Sequence, residues 1–128
     1  MPGLSQFAIP EKVSHVEIAS VNYDQWILTV GVRLYSKAET NVTGMVHVIF
    51  DAPEGFRLLD EGQMLNFPWE SIQGSKFYVF RVESSGWIEQ EEFAGNLSLP
   101  DTAKEFLVCT DNECISVIAH TEPKLVES

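Results

Sequence analysis

Basic residues are scarce in this sequence. Eight Lys and Arg stand against 19 Asp and Glu, which gives a formal net charge of -11. A protein that binds a phosphate backbone needs a basic surface, so we expect no binding to nucleic acid. The acidic residues are dispersed along the chain, which is typical of a solvated surface. No EF-hand spacing occurs among them, so no calcium loop is predicted.

Long hydrophobic runs are also missing. A membrane-spanning helix needs about 18 or more apolar residues without charge, and no stretch of this chain approaches that length, so no span is expected in it. The N-terminal residues MPGLSQF have neither the basic region nor the apolar region of a secretory signal. Two origins fit this composition: a periplasmic or extracellular domain whose signal lies outside this sequence, or a cytoplasmic protein.

Residues that bind metals or act as nucleophiles are few. The chain has two cysteines and three histidines. His15, His47 and His120 are far apart in the sequence, so we expect no metal site and no cofactor. Neither a nucleophile elbow with Ser, His and Asp in a catalytic order nor a glycine-rich phosphate loop occurs. Hydrolase and nucleotide-binding chemistry are therefore not predicted.

Alternating apolar residues are what the chain has instead. Hydrophobic residues make up 45% of 128 residues, enough for the core of one domain. Within residues 25–36 the alternation predicts one buried face, made of Trp26, Leu28, Val30, Val32 and Leu34. Residues 42–50 alternate in the same way, which indicates half-buried antiparallel strands. Further strands are predicted at residues 12–21, 76–83, 93–99, 104–109 and 114–120.

This pattern predicts an all-β fold. Roughly seven or eight strands separated by regular turn signals favour an immunoglobulin-like antiparallel β-sandwich, with a small β-barrel as the alternative. We assign residues 1–11 to an irregular lead-in, residues 12–123 to a single β-sandwich domain, and residues 124–128 to a C-terminal tail. Residues 58–69 are less regular and fit either a short strand or a long functional loop.

The two cysteines lie in the clearest hairpin of the sequence. Two apolar runs, 104–109 and 114–120, are joined by TDNE, a composition typical of a hairpin loop. Cys109 and Cys114 would then be opposite each other, with Cα atoms about 4.5–5.5 Å apart, a spacing that permits a disulfide. Four interpretations remain open: a local structural disulfide, two reduced cysteines, a redox-active pair, and half of a metal site.

The position of this pair bears on its role. Closing so short a loop stabilises a fold by only about 2 kcal/mol. A bridge across a tight turn at the edge of a domain is accessible, which favours exchange with another thiol. Asp111 and Glu113 work against exchange, because their negative charges disfavour a thiolate.

Two segments near the C-terminus carry a family resemblance. Residues 93–100 (FAGNLSLP) and 106–114 (FLVCTDNEC) resemble the end of the N-terminal periplasmic domain of the thiol:disulfide interchange protein DsbD and its relatives. The resemblance implies an immunoglobulin-like sandwich in which Cys109 and Cys114 are the exchanging, catalytic pair. Its partners would be a membrane-embedded redox domain and other thiol-disulfide proteins of the periplasm. Family members usually have Pro after the second Cys, whereas this chain has Ile115.

Aromatic residues in predicted loops are the remaining candidates for binding. The family shields its cysteines with an aromatic cap loop, and residues 62–70, with Phe67 and Trp69, are our positional match for it. Trp69 and Trp87 lie near Pro and Gly, where loop residues often contact partners. A non-catalytic sandwich that binds a partner through an edge strand or through residues 56–70 is the main alternative function. An accessory domain of a larger protein is a third.

Overall fold

A computed structural model of the chain describes residues 3–37, 42–60, 76–82, 102–110 and 113–127. Phe67, Trp69 and Trp87, the predicted strand at 93–99 and most of the irregular segment at 58–69 lie outside these residues. No helix in the described part of the chain is long and apolar enough to cross a membrane.

The first sheet includes β2 and β3, the two strands that alternate most clearly in the sequence. It contains β1 (Val13–Asp24), β2 (Ile27–Ser36), β3 (Val42–Asp51) and β8 (Lys124–Glu127), in the order β1-β2-β3-β8. All neighbouring pairs are antiparallel. Leu28, Val30 and Val32 of β2 are fully buried, as the period of two predicts.

The second sheet holds the cysteine hairpin. It contains β4 (Gly55–Asp60), β5 (Val79–Val82), β6 (Lys104–Cys109) and β7 (Glu113–Ala119), in the order β4-β7-β6-β5. Its pairs are also antiparallel. Buried residues of both sheets form one core, in which the ring centroids of Phe50 and Phe106 are 5.9 Å apart. The described residues therefore confirm an all-β sandwich and not a closed barrel.

Both ends of the chain add to this sandwich. The lead-in contains a 3-10 turn at Ser5–Phe7, and Phe7 is fully buried in the core. Isolated bridges join Gly3 to Phe80 and Ala8 to Phe77. At the other end, residues expected to form a tail instead make up β8 and pair with β3.

The hairpin between β1 and β2 corrects one prediction. Trp26 was expected to continue the buried face of β2, but its side chain is 74% exposed. Asp24 pairs with Ile27, so Gln25 and Trp26 form a two-residue turn with φ values of 49° and 68°. Such turns require positive φ at both central residues, which takes Trp26 out of the strand.

Candidate functional site

Strand pairing places the two cysteines directly opposite each other. Cys109 pairs with Cys114 at the end of the β6–β7 hairpin, where their Cα atoms are 4.2 Å apart and the side chains form a disulfide. The Thr110 N–H donates to the Glu113 carbonyl at 2.9 Å, so the cysteines occupy the adjacent non-hydrogen-bonded position. This is the position at which antiparallel Cα atoms approach most closely. A disulfide therefore fits here without breaking the pairing of the strands.

The backbone of Cys109 is held from the other side of β6. Its N–H donates to the carbonyl of Tyr78 at 2.8 Å, just before β5 begins. The next ladder position pairs Val79 of β5 with Val108 of β6. Because β6 has a neighbour on each side, Cys109 belongs to the interior of the sheet.

Burial of the pair is the main departure from the sequence-based expectation. Cys109 is 4% exposed and Cys114 is 0% exposed. The prediction of an accessible bridge at the edge of the domain is therefore wrong. The cysteines belong to a second apolar cluster, on the face of the second sheet that points away from the main core. The buried members of this outer cluster are Leu59, Phe80, Leu107, Cys109 and Cys114, with Phe77 and Val82 packed against them.

These surroundings affect how the disulfide reacts. Leu59 of β4 pairs with Cys114 of β7, and Leu107 lies two residues before Cys109 on the same face of β6. Apolar neighbours disfavour a thiolate, and attack on a disulfide requires access to one of its sulfur atoms. In this conformation the pair is shielded, so any exchange would need the outer cluster to open.

Polar residues are buried on the same face. The hydroxyl of Ser116 donates to Oε2 of Glu105 at 2.8 Å, and both residues are buried. Sequence reasoning missed this pair because its members belong to different strands. The alternation within β6 and β7 was the signal that could have found it, because it places the Glu105 carboxylate on the same face as Leu107 and Cys109.

His120 makes two side-chain contacts at the surface. Among the residues that the structure describes, no group of three or more His, Cys, Asp and Glu could hold a metal ion. His120 Nε2 lies 2.8 Å from Glu54 Oε1, and its Nδ1 lies 2.9 Å from Thr102 Oγ1. These contacts link the segments before β4 and β6 to the end of β7.

Comparisons with known proteins add nothing to this geometry. No family model, no curated protein and no solved structure matches the chain.

Proposed function

We propose that this domain is a thiol-disulfide exchange module in which Cys109 and Cys114 alternate between a disulfide and two thiols. The observation that carries the proposal is a disulfide between residues that strand pairing already holds together, with Cα atoms 4.2 Å apart. Such a bond closes a very short loop and contributes only about 2 kcal/mol to stability. It can be broken while the β6–β7 hairpin remains paired.

The exchange would follow the usual course for a disulfide. A partner thiolate attacks one sulfur, the Cys109–Cys114 bond breaks, and the other sulfur leaves as a thiolate that takes up a proton. A second thiol of the partner then attacks the mixed disulfide. The partner leaves oxidised to a disulfide, and this domain has gained two electrons and two protons.

The resemblance to the N-terminal domain of DsbD and its relatives supports this direction of transfer. By that likeness, a membrane-embedded redox domain would reduce the pair, and other thiol-disulfide proteins would then be reduced by it. The setting would be the periplasm or another extracellular space, where disulfides persist.

Burial of the pair favours a second candidate function. A non-catalytic binding or accessory sandwich would use the bond only as a local staple. Both cysteines lie within an apolar cluster that includes Leu59 and Leu107. A shielded bond is protected from reduction, as structural disulfides are.

The reduction potential of the pair separates these two candidates. We expect a value in the range of exchange proteins, roughly -120 to -270 mV, when the protein is equilibrated with glutathione buffers. A value below about -300 mV would identify a structural bond and refute the exchange function. Circular dichroism of the reduced protein is the control, because the measurement requires the sandwich to stay folded.

Trapping tests the same proposal through its intermediate. Cys109→Ser and Cys114→Ser each leave one thiol and no resolving partner. For an exchange module, one of these variants should accumulate a mixed disulfide with a dithiol oxidoreductase domain supplied in its oxidised form. If neither variant reacts faster than the free thiol of a short unstructured peptide, the pair has no exchange function.

A further inference from the structure

The segment before β1 lies along the outer edge of the second sheet. Residues 3–9, which we call the N-terminal strap, run beside β5 and the residues just before it. The Leu4 N–H donates to the Val79 carbonyl at 3.0 Å, and the Ile9 N–H donates to the Lys76 carbonyl at 2.6 Å. Since β5 is the last strand of its sheet, the strap covers an edge that would otherwise have no neighbour on this side.

One row of hydrogen bonds joins the strap to the disulfide. The Tyr78 N–H donates to the Phe7 carbonyl at 3.2 Å, and the Tyr78 carbonyl accepts from the Cys109 N–H at 2.8 Å. The rings of Phe7 and Tyr78 also meet edge to face, with centroids 5.7 Å apart. Cys109 is in turn bonded to Cys114. The strap therefore helps to fix the backbone to which the first cysteine is bound.

A close contact also joins the strap to the outer cluster. Phe77, the residue before Tyr78, packs against the cluster in which both cysteines are buried. A Cβ atom on Gly3 would overlap the ring of Phe77, so this ring rests directly on the backbone of the strap. Only glycine permits so close an approach. The strap therefore supports one of the side chains that cover the disulfide.

The strap and β4 lie on opposite sides of the outer cluster and are held unequally. On the side of Cys114, β4 pairs with β7 without interruption over Gly55–Asp60. The strap is joined to the opposite edge through isolated bridges that are separated by a 3-10 turn. Edge segments with few backbone bonds open locally at a lower free energy than the whole fold. The strap is therefore expected to detach before β4 does.

We propose that the N-terminal strap is a gate for the disulfide: a thiol reaches Cys109 and Cys114 when the strap detaches from β5 and Phe77 moves off the outer cluster. Detachment removes the hydrogen bond to Tyr78 and the support that Gly3 gives to Phe77, while the β6–β7 hairpin stays paired. This inference deepens the exchange function and rests on it for its biological role, because a gate matters only for a bond that reacts.

The gate makes the rate of reduction depend on the stability of the strap. When opening and closing are fast, a buried group reacts in proportion to the population of the open state. Weakening the strap should therefore speed reduction by the factor by which that population rises. Weakening the rest of the fold should leave the rate unchanged, provided that the protein stays folded.

Gly3→Val tests this dependence in the full chain. The added side chain overlaps the ring of Phe77, so either the strap or the ring must move, and each movement uncovers the pair. We expect excess dithiothreitol to reduce the Cys109–Cys114 bond at least about tenfold faster than in the parent protein. Alkylation of the released thiols and mass spectrometry measure the rate. Equal rates in the variant and the parent would overturn the proposal.

Gly44→Val is the matched control. Gly44 lies on β3 of the first sheet, and a Cβ atom there would have no neighbour within 4 Å. The same substitution should therefore leave the rate of reduction unchanged. An acceleration equal to that of Gly3→Val would show a general effect of valine on the fold and would refute the gate.

Val48→Ala separates local from global opening. Val48 is fully buried in the main core, so this change lowers the stability of the whole sandwich without touching the strap. Reduction should proceed at the rate of the parent protein, with circular dichroism confirming that the variant is folded. If reduction instead accelerates by the factor by which urea denaturation shows the folding equilibrium to fall, the bond reacts through global unfolding and the gate is refuted.

Phe77→Ala identifies the contact through which Gly3→Val acts. Removing the ring uncovers the disulfide and should itself speed reduction. Adding Gly3→Val should then have little further effect, because no ring remains for valine to displace. The full acceleration by Gly3→Val on both backgrounds would show that it acts through another contact and would overturn the proposal.

These rates also separate the gate from the exchange function. A reduction potential typical of structural disulfides, together with a rate that responds to Gly3→Val, would refute exchange and support the gate. A potential in the range of exchange proteins, with a rate that does not respond, would overturn the gate and leave the exchange function in place.

Discussion

The two sheets differ in the face that each turns away from the shared core. On the first sheet this face is open to solvent and carries polar pairs: Glu17 accepts from Arg33 at 3.2 Å and from the Tyr35 hydroxyl at 3.1 Å. On the second sheet the corresponding face carries Leu107 and Cys109, which are buried. The same strand geometry therefore gives a solvated surface in one sheet and a second apolar layer in the other.

The sequences of the strands account for this difference. β2 alternates between apolar residues and residues such as Thr29, Gly31 and Arg33, which is the pattern of a sheet with one solvent-exposed face. β7 reads ECISVIA and is buried from Cys114 to Ala119. A nearly continuous apolar strand is typical of a sheet buried on both faces. The disulfide is shielded because it lies on such strands.

The largest expected change in the free energy of unfolding comes from a substitution in the outer cluster. Leu107→Ala removes a fully buried side chain from this cluster and should lower the free energy of unfolding by about 2–5 kcal/mol. Ile27→Ala, on the outward face of the first sheet and 43% exposed, should cost about 1 kcal/mol or less. Urea denaturation of both variants measures the contrast. Equal losses would show that the two outward faces do not differ.

The next largest change in stability is expected when the polar pairs on the two outward faces are broken. Ser116→Ala removes the buried donor to the Glu105 carboxylate, and hydrogen bonds to charged groups contribute about 1.5–3 kcal/mol. Glu17→Gln weakens the exposed pair with Arg33, where about 0.2–1 kcal/mol is expected. Thermal and urea unfolding should rank the variants in this order. The reverse order would contradict the comparison.

A smaller effect of opposite sign is expected at the β1–β2 turn. Trp26→Gly relieves the positive φ and should raise the free energy of unfolding by about 0.5–1 kcal/mol, after allowing for the freedom of glycine in the unfolded chain. Trp26→Ala is the control, because it removes the same side chain but retains the unfavourable φ. A similar gain in both variants would attribute the effect to the exposed ring and not to the backbone.

A last effect concerns Tyr78 in the shared core and is seen only at alkaline pH. Burial, aided by the negative charge of Glu127, raises the pKa of Tyr78 from 10.0 to about 12. The unfolded chain loses this proton near pH 10 while the folded protein retains it. The neutral phenol therefore stabilises the fold below pH 10, and this contribution is lost as the pH rises toward 12.

Urea denaturation between pH 9 and about 12 would measure this loss. Tyr78→Phe has no phenol to ionise, so its stability should fall less over this range than that of the parent protein. Identical curves for the two proteins would show that another group accounts for the alkaline transition.

Much of the fold could be predicted from local pattern. Alternation located β2 and β3, and the polar TDNE linker between two apolar runs located the β6–β7 hairpin together with the pairing of Cys109 and Cys114. The position of Trp26 was not predictable from the same signal, since an apolar residue in a turn also extends an alternating run. β8 was missed because LV in KLVE is too short to show a period.

The sequence by itself determined the class of the fold and the placement of Cys109 and Cys114 opposite each other, while the bond between them came from the structure. Strand periodicity and loop length are local properties, and they are sufficient to place two cysteines across a hairpin. Only the tertiary structure decided that this disulfide is shielded and that Tyr23, Phe56 and Leu58 are not. Burial depends on which strands become neighbours and what packs on each face, and these contacts join residues far apart in the chain.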